Sequence, residues 1–325
     1  MLLRTRLTER LGIEHPILGA PMAFAAGGRL AAAVTAAGGL GLIGGGYGDG
    51  AWLEREFAAA GNARVGCGFI TWSLARQPAL LDQALAHAPA AVMLSFGDPA
   101  PFAPAIRRAG SVLICQVQTL AHAREAIAAG AEVIVAQGTE AGGHGGTRAS
   151  LTLTPEVADL LERKSPGTLL VSAGGIADGR GLAAALMLGA DGVLVGSRLW
   201  ASAEALVHQN HHRAAIAASG DDTVRQRATD IVRLYAWPPE FTGRVLRNAF
   251  TERWAGREDE LRGQAEALNA TYQAGVAAGD PDNVGVWVGE ATGFINTIAP
   301  AAELIRSIAA EAERLLRHRA PSLVV

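Results

Sequence analysis

Eight short, continuously apolar segments, separated by segments with helical periodicity, constrain the fold of this chain more than any other feature. Their first residues lie mostly 20 to 26 positions apart. Strands that are apolar without alternation, each followed by a helix, are typical of a parallel sheet buried on both faces. The eight segments span residues 16–20, 40–44, 64–70, 91–96, 112–117, 132–137, 168–172 and 192–196.

Eight such strand–helix units predict an α/β fold of the (β/α)8, or TIM, barrel type, with an open doubly wound sheet as the alternative. The pattern changes after residue 198, since residues 199–288 carry four of the six tryptophans and more charge but no apolar strand segment. We interpret residues 199–288 as a helical insertion that covers the active site, because it follows the eighth strand at its carboxyl end. The barrel domain would comprise residues 1–198 and 289–325, with its last helix in the amphipathic segment 290–317.

Composition excludes several classes of function. A net charge of −3 and a pI of about 6.3 provide no basic face for nucleic acid or an anionic membrane. No segment approaches the roughly 20 apolar residues of a membrane span, and the first residues lack a signal-peptide core, so we predict a cytoplasmic protein. The only lysine, Lys164, lies in a loop sequence, which excludes a strand lysine for Schiff-base chemistry. Cys67 and Cys115 lie in apolar strands and are predicted to be buried, unpaired thiols.

Glycine-rich turns end the last two predicted strands. The seventh strand ends in Ser-Ala-Gly-Gly-Ile-Ala-Asp-Gly (172–179), and the eighth ends in Val-Leu-Val-Gly-Ser (193–197). The loops after these two strands commonly bind phosphate in barrels, through exposed N–H groups and helix N-termini. We therefore predict a phosphate site here; the residues of this predicted cofactor site are Ala173, Gly174, Gly175, Gly196 and Ser197.

A second glycine-dense loop, Gln-Gly-Thr-Glu-Ala-Gly-Gly-His-Gly-Gly (137–146), follows the sixth strand. Glycines let the backbone lie flat against a ligand, so Gln137, Gly142 and Gly143 are candidate ligand contacts. His144 is the one histidine placed where a reacting group could meet it, and an imidazole with an ordinary pKa near 6.5 suits proton abstraction. The turn Ala20-Pro21-Met22, which ends the first strand, faces the same end of the barrel.

Two other clusters are weaker candidates. The glycines of residues 38–50 lack the G-x-G-x-x-G register that opens a helix in dinucleotide-binding folds. His208, His211 and His212 lie on one predicted helix, but there is no H-E-x-x-H motif and no third ligand close in sequence. We therefore expect a solvated helix face there and no metal site.

With these residues in place, the sequence resembles the nitronate monooxygenase (2-nitropropane dioxygenase) family from about residue 7 to residue 316. The two loop motifs described above, residues 137–144 and 173–180, carry the most specific part of the resemblance. The other matching motifs are Pro-Ile-Leu-Gly-Ala-Pro-Met (16–22), Ala-Ala-Gly-Gly-Leu-Gly (36–41), Gly-Ala-Asp-Gly-Val-Leu-Val-Gly-Ser (189–197) and Gly-Glu-Ala-Thr-Gly-Phe-Ile (289–295).

The resemblance implies noncovalently bound FMN. Its phosphate would lie on the turns at 174–175 and 196–197, and its isoalloxazine against the 20–22 turn, Gln137 and the glycines at 142–143, with His144 beside the reactive face. The implied reaction is oxidation of alkyl nitronates such as propionate 3-nitronate by O2, which gives a carbonyl compound and nitrite. His144 would act as the base towards neutral nitroalkanes. This sequence has Gly68 where many relatives carry asparagine, and Gly19 where glutamine is frequent.

The same scaffold and histidine loop also resemble FMN-dependent enoyl-acyl-carrier-protein reductases, and some family members are NAD(P)H:quinone reductases, so both activities stay open. Arg225, Arg227 and Arg233 would supply a cationic patch for a carrier protein, although nearby carboxylates favour an ordinary solvated face. A flavin-binding module without catalysis is a further alternative. We expect a small-molecule substrate and O2 as partners, and a homodimer is kept open.

Overall fold

The computed structural model describes residues 3–323, and in it eight parallel strands form a closed barrel. The strands are β1 (Ile17–Gly19), β2 (Leu40–Gly44), β3 (Gly66–Ile70), β4 (Ala91–Ser95), β5 (Val112–Val117), β6 (Val133–Gln137), β7 (Gly143–Gly145), β8 (Leu169–Ala173), β9 (Gly192–Val195), β10 (Thr223–Gln226) and β11 (Thr242–Leu246). The barrel order is β1-β2-β3-β4-β5-β6-β8-β9, and Leu18 pairs with both Leu40 and Leu194 to close it. The predicted (β/α)8 barrel is confirmed, and each predicted strand segment contains one barrel strand, with β8 extending one residue further.

Helices follow the barrel strands and form the outer layer. Their bounds are α1 (Arg6–Leu11), α2 (Gly28–Ala36), α3 (Gly50–Ala60), α4 (Thr71–Leu74), α5 (Ala79–Ala86), α6 (Ala103–Arg108), α7 (Leu120–Ala128), α8 (Ser150–Lys164), α9 (Gly179–Met187), α10 (Ser197–Trp200), α11 (Gln209–Ala217), α12 (Ala228–Val232), α13 (Ala249–Trp254), α14 (Glu258–Ala278), α15 (Ala301–Arg314) and α16 (Ala320–Ser322). Helix α15 lies within the 290–317 segment that is predicted to supply the last barrel helix, and it packs against α9 and α2.

Two apolar cores hold the barrel together. Leu40 and Leu42 of β2 point into the barrel interior, while Ile43 belongs to the core between the strands and the helices. Leu7 and Leu11 of α1 are almost fully buried in the interior core, where burial of each side chain contributes about 1.5–3 kcal/mol. Since α1 precedes β1, these leucines fill the amino end of the barrel and leave the carboxyl end for a site.

Small residues allow the helix layer to lie directly on the strands. A Cβ at Gly41 of β2 would lie only 2.1 Å from the carbonyl oxygen of Ala31 in α2. Such a distance is shorter than any van der Waals contact, so only glycine fits at this position. The abundance of alanine and glycine therefore has a packing cause at this contact.

The segment that follows β9 differs from the predicted helical insertion. Helices α11 to α14 are present within residues 199–288, but so are the strands β10 and β11. Strand β11 pairs antiparallel with β10 and with β7, so this segment is joined to the loop that follows β6. The prediction that residues 199–288 contain no strand is wrong because the partly buried Arg225 and the buried Arg244 interrupt the apolar pattern of these strands. The boundaries of the two domains stay a prediction.

Two further predictions concern buried thiols and membrane association. Cys67 and Cys115 are free and buried, as predicted, and burial raises the pKa of each thiol to about 12. Neither thiol is therefore a thiolate at neutral pH. In the chain from residue 3 to residue 323, no helix combines the length and apolar character that crossing a membrane requires.

Candidate active site

A cavity of ≈ 980 Å³ lies at the carboxyl ends of the barrel strands, where the sequence predicts the site. A volume near 1,000 Å³ is at the upper end of the usual range for cofactor and ligand sites. All twelve predicted site residues line this one cavity: Ala20, Pro21, Met22, Gln137, Gly142, Gly143, His144, Ala173, Gly174, Gly175, Gly196 and Ser197. The fold thus brings together residues from the loops after four barrel strands, β1, β6, β8 and β9, although their individual roles stay predictions.

The turns after β8 and β9 form one wall of the cavity from backbone. Gly174 and Gly175 have φ angles of 106° and 72°, which side chains rarely adopt. A Cβ at Gly174 would also lie 2.9 Å from the carbonyl oxygen of Gly138. At Gly196, by contrast, an added Cβ would meet nothing nearer than Ala20 at 3.8 Å, so the cavity is open there.

Ser197 supplies a hydroxyl group beside these turns. Its Oγ accepts a hydrogen bond from the backbone N–H of Gly289 at 2.8 Å. Because the serine hydroxyl can donate as well as accept, its own proton stays available to a ligand oxygen. Asp178 caps the helix that follows the first turn, accepting from the N–H groups of Arg180 and Gly181 at 2.9 and 3.4 Å.

His144 lies at the centre of β7, on the opposite wall. Its Nε2 is 2.8 Å from Oδ2 of Asp230, and both side chains are more than nine-tenths buried. A carboxylate oxygen only accepts, so Nε2 carries the proton and Nδ1 keeps a lone pair. The imidazole ring stacks on Trp237, with 3.4 Å between centroids and 6° between planes.

Burial is the main cause that lowers the pKa of His144. The hydrogen bond and the charge of Asp230 raise this pKa, while the positive charges of Arg233 and Arg225 lower it. The net direction is downward, so the imidazole is neutral at neutral pH. A buried neutral imidazole with a free lone pair on Nδ1 can accept a proton from a bound carbon acid.

Asp230, the hydrogen-bond partner of His144, is a candidate site residue that the sequence did not indicate. It lies in α12, 86 positions after His144, within the unremarkable sequence Ala-Thr-Asp-Ile-Val. Its second oxygen, Oδ1, is buried and has no hydrogen-bond partner among residues 3–323. A buried oxygen without a partner is costly, and such atoms concentrate at functional sites. No local motif predicts this residue, because the pairing of Asp230 with His144 depends on how α12 packs over β7.

An aromatic wall stands around His144. Tyr235 stacks on Tyr47 at 4.0 Å, and the indole N–H of Trp237 donates to the Tyr47 hydroxyl at 3.2 Å. Phe24 and Phe96 also line the cavity and have φ angles of 60° and 66°. Non-glycine residues in this left-handed region carry strain, which is found most often at binding sites. Aromatic rings therefore line much of the cavity next to the imidazole.

Two polar side chains hold the histidine loop in place. The Gln137 amide donates to the carbonyl oxygen of His144 at 3.0 Å and accepts from Gln118 at 2.9 Å. The Arg225 guanidinium donates to the carbonyl oxygens of Thr139 and Ala141 at 3.1 and 3.2 Å. Gln137 therefore has a structural role besides its predicted contact with a ligand.

Arg225, Arg227 and Arg233, the candidates for a cationic patch, do not together form an exposed surface. Arg225 is partly buried, and this burial together with the charge of Arg244 lowers its pKa to about 10. Arg233 lines the cavity rather than an outer face. The prediction of a fully solvated histidine helix also fails in part, because His208 and His211 line the cavity. No cluster of metal ligands is found in residues 3–323.

Gly68 and Gly19, the two positions where the sequence departs from many relatives, have different surroundings. A Cβ at Gly68 would lie 2.3 Å from Cγ of Pro21, and Gly68 lines the cavity. A larger residue at 68 therefore requires a shift of the 20–22 turn. A Cβ at Gly19 would touch Val34 and Leu199 at 3.4 Å, so this position faces the helix layer rather than the cavity.

Fold and site together define a class of protein, a (β/α)8-barrel enzyme. Its open end contains glycine turns that suit a phosphate-bearing cofactor, and it also contains a buried neutral histidine. Residues 4–84 and 75–311 match the sequence profile of the nitronate monooxygenase family. The chain belongs to this family of flavin-dependent oxidoreductases.

Individual relatives agree over nearly the whole chain. A nitronate monooxygenase of Neurospora crassa is 32% identical, over 93% of this chain and 90% of its own. Nitronate monooxygenase npaC of Metarhizium robertsii is 34% identical over 97% of each chain. Among solved structures, FabK from Thermotoga maritima has a TM-score of 0.86 at 32% identity, covering 98% of this chain and 99% of its own. Nitroalkane oxidase from Streptomyces ansochromogenes has a TM-score of 0.78 at 26% identity, covering 94% and 97%.

Proposed function

We propose that this protein uses FMN to oxidise alkyl nitronates such as propionate 3-nitronate with O2, giving a carbonyl compound and nitrite. We further propose that His144 is the base that opens this reaction to neutral nitroalkanes. The observation that carries the second part is the buried imidazole whose Nε2–H is bonded to Asp230, since this bond leaves the lone pair to Nδ1 on a ring that lines the cavity. Membership of the nitronate monooxygenase family supports the first part.

The residues present fit FMN. Gly143 has a φ of 72°, and a Cβ there would meet no atom within 4 Å, so the backbone presents open space to a flat ring. The glycine turns at 174–175 and the hydroxyl of Ser197 suit the phosphate, and Ala173 and Gly196 complete that end. The 20–22 turn, Gln137 and Gly142 would border the isoalloxazine. FMN, when bound, supplies the electron transfer between the nitronate and O2.

The protein's own contribution begins with the carbon acid. In a neutral nitroalkane the α C–H bond must break, its electron pair moves into a C=N bond, and the proton goes to Nδ1 of His144. Negative charge then rests on the two nitro oxygens, and the imidazolium is stabilised by Asp230. A preformed nitronate has already lost this proton, so it needs no base. The aromatic wall limits the access of water to the cavity.

The first test is nitrite release. Purified flavin-loaded protein is mixed with propionate 3-nitronate in air, without nicotinamide, and nitrite is followed over time. Rapid nitrite release that depends on the protein is the expected result. A flavin-loaded protein that releases no nitrite would contradict the proposal.

The likeness to FabK supports a second candidate, the reduction of an enoyl thioester or a quinone by NAD(P)H. The same cavity would then receive the nicotinamide beside His144. Consumption of NADH with crotonyl thioester or a benzoquinone, in protein that releases no nitrite, would favour this candidate over nitronate oxidation.

A further inference from the structure

Arg233 places a positive charge inside the cavity. The residue directly follows α12, and its side chain lines the cavity. Its Cζ lies 4.6 Å from the ring centroid of Tyr235, 5.4 Å from that of Trp287 and 5.6 Å from that of Tyr47. Three aromatic rings thus hold one guanidinium group by cation–π contacts.

The backbone around Arg233 is held in a defined turn. Leu234 has a φ of 61°, in the left-handed region where glycine usually ends a helix. The N–H groups of Leu234 and Tyr235 donate to the carbonyl oxygens of Ile231 and Asp230, both at 3.0 Å. This helix end fixes the direction in which the Arg233 side chain leaves the backbone.

The donors of Arg233 have no acceptor in the described part of the chain, residues 3–323. Neither a hydrogen bond nor an ion pair is formed by its guanidinium, whereas Arg225 and Arg244, on the neighbouring strands, donate to backbone and hydroxyl oxygens. Asp230, three residues before Arg233, is bonded to His144 instead. Five N–H donors in a partly buried cavity therefore remain for a ligand or for water.

The cation and the candidate base share one cavity. The ring of Trp287 lies 5.2 Å from the imidazole of His144 and 5.4 Å from Cζ of Arg233. The charge of Arg233 is also one of the causes that lower the pKa of His144. Both side chains line the same cavity, so a substrate bound there would have His144 and Arg233 among its contacts.

We propose that Arg233 binds the two oxygens of the substrate's nitro or nitronate group; this inference rests on the proposed function. Such a group is planar with two oxygens, and the guanidinium fork matches that geometry with two parallel N–H···O bonds. Loss of the α-proton to His144 moves negative charge onto these same oxygens. A fixed cation at that point favours the charged product over the neutral nitroalkane. Arg233 is thus the recognition residue for the reacting group.

The test uses Arg233→Met, which removes the charge, and Arg233→Lys, which keeps the charge but loses the fork. Arg213→Met is the matched control, because Arg213 is exposed and lies outside the cavity. Binding of benzoate, an unreactive anion with two coplanar oxygens, is measured by the change in flavin absorbance. Nitrite release is measured with propyl 1-nitronate and with propionate 3-nitronate, which carries an additional carboxylate.

We expect Arg233→Met to weaken benzoate binding and to raise KM for both nitronates by a similar factor, roughly 10- to 100-fold. Arg233→Lys should recover part of the benzoate affinity and part of the increase in KM. Arg213→Met should have the same benzoate affinity and KM as the original protein. Unchanged benzoate affinity and unchanged KM in Arg233→Met would overturn the inference. A rise in KM for propionate 3-nitronate alone would also overturn the inference, since Arg233 would then bind the carboxylate of that substrate. If the original protein releases no nitrite, the proposed function fails, while benzoate binding still reports separately on the anion site.

Discussion

Two walls of the cavity are built in different ways. The turn wall, formed by Gly174, Gly175 and Gly196, consists of backbone at the ends of two barrel strands. The inserted wall, formed by β7, β10, β11 and α12, consists of polar side chains that join segments about 80 to 100 positions apart. The first wall depends on local backbone conformation, and the second depends on long-range hydrogen bonds. The turn wall suits a cofactor shared by many barrels, while the inserted wall carries the groups that would act on the substrate.

The largest effect is expected from Gly174→Val in the turn wall. The substitution forces a β-branched residue to a φ of 106° and places its Cβ 2.9 Å from the carbonyl oxygen of Gly138. Strain and overpacking together should lower the free energy of unfolding by about 2–5 kcal/mol and abolish flavin retention. Urea unfolding and the absorbance of bound flavin measure the two effects. Gly167→Ala, at an open position with ordinary φ, is the control. If Gly174→Val unfolds at the same urea concentration as the original protein, the turn wall does not depend on its local backbone conformation.

Arg225→Met should have the next largest effect, because it removes the bonds that hold the histidine loop. Arg225 donates to Thr139, Ala141 and Thr242, all of which lose a donor in the variant. We expect a loss of about 2–4 kcal/mol in the free energy of unfolding, with nitrite release impaired more than flavin binding. Thermal unfolding compared with that of Arg213→Met checks this. A variant with weakened flavin binding, whose remaining flavin-loaded fraction releases nitrite at the original rate, would reverse the roles of the two walls.

Asp230→Asn should have a smaller effect that is specific to the base. We expect activity on neutral nitroalkanes to fall roughly 10- to 100-fold, because the neutral amide orients and stabilises the imidazolium less well. The active form of His144 is neutral, so activity is lost as the pH falls through its pKa. Asp230 raises that pKa, so removing its charge should move the acidic limb of the pH profile to lower pH.

The matched control for this variant is Asp221→Asn, at an exposed position outside the cavity. Arg233→Met should move the same limb in the opposite direction, because the charge of Arg233 lowers the pKa of His144. The kcat/KM for a nitroalkane, measured across the acidic pH range, gives both shifts. Shifts in the same direction for the two variants would contradict the electrostatic account of His144.

The difference between local and long-range contacts also explains which parts of the fold and site could be predicted from the sequence. The eight barrel strands and the turns at Gly174 and Gly196 were predictable, because continuous apolar segments and glycine pairs are local signals. His144 was predictable from its glycine-dense loop after a strand. Asp230 was not, because its partner His144 lies 86 positions away and its local pattern is an ordinary helix. Arg233 was considered only as part of a surface patch, because its contacts with Tyr47 and Trp287 depend on the tertiary fold. The strands β10 and β11 escaped prediction for the same reason, since arginine side chains replace the usual apolar alternation.

The central claim is tested most directly by His144→Ala, with His318→Ala, at an exposed position, as its control. Nitrite release is measured with a neutral nitroalkane and with the nitronate prepared from it, on flavin-loaded protein. We predict that His144→Ala retains FMN and oxidises the preformed nitronate, but loses roughly 10²- to 10⁴-fold in activity on the neutral nitroalkane. Equal losses on the two substrates would show that His144 does not act as the base.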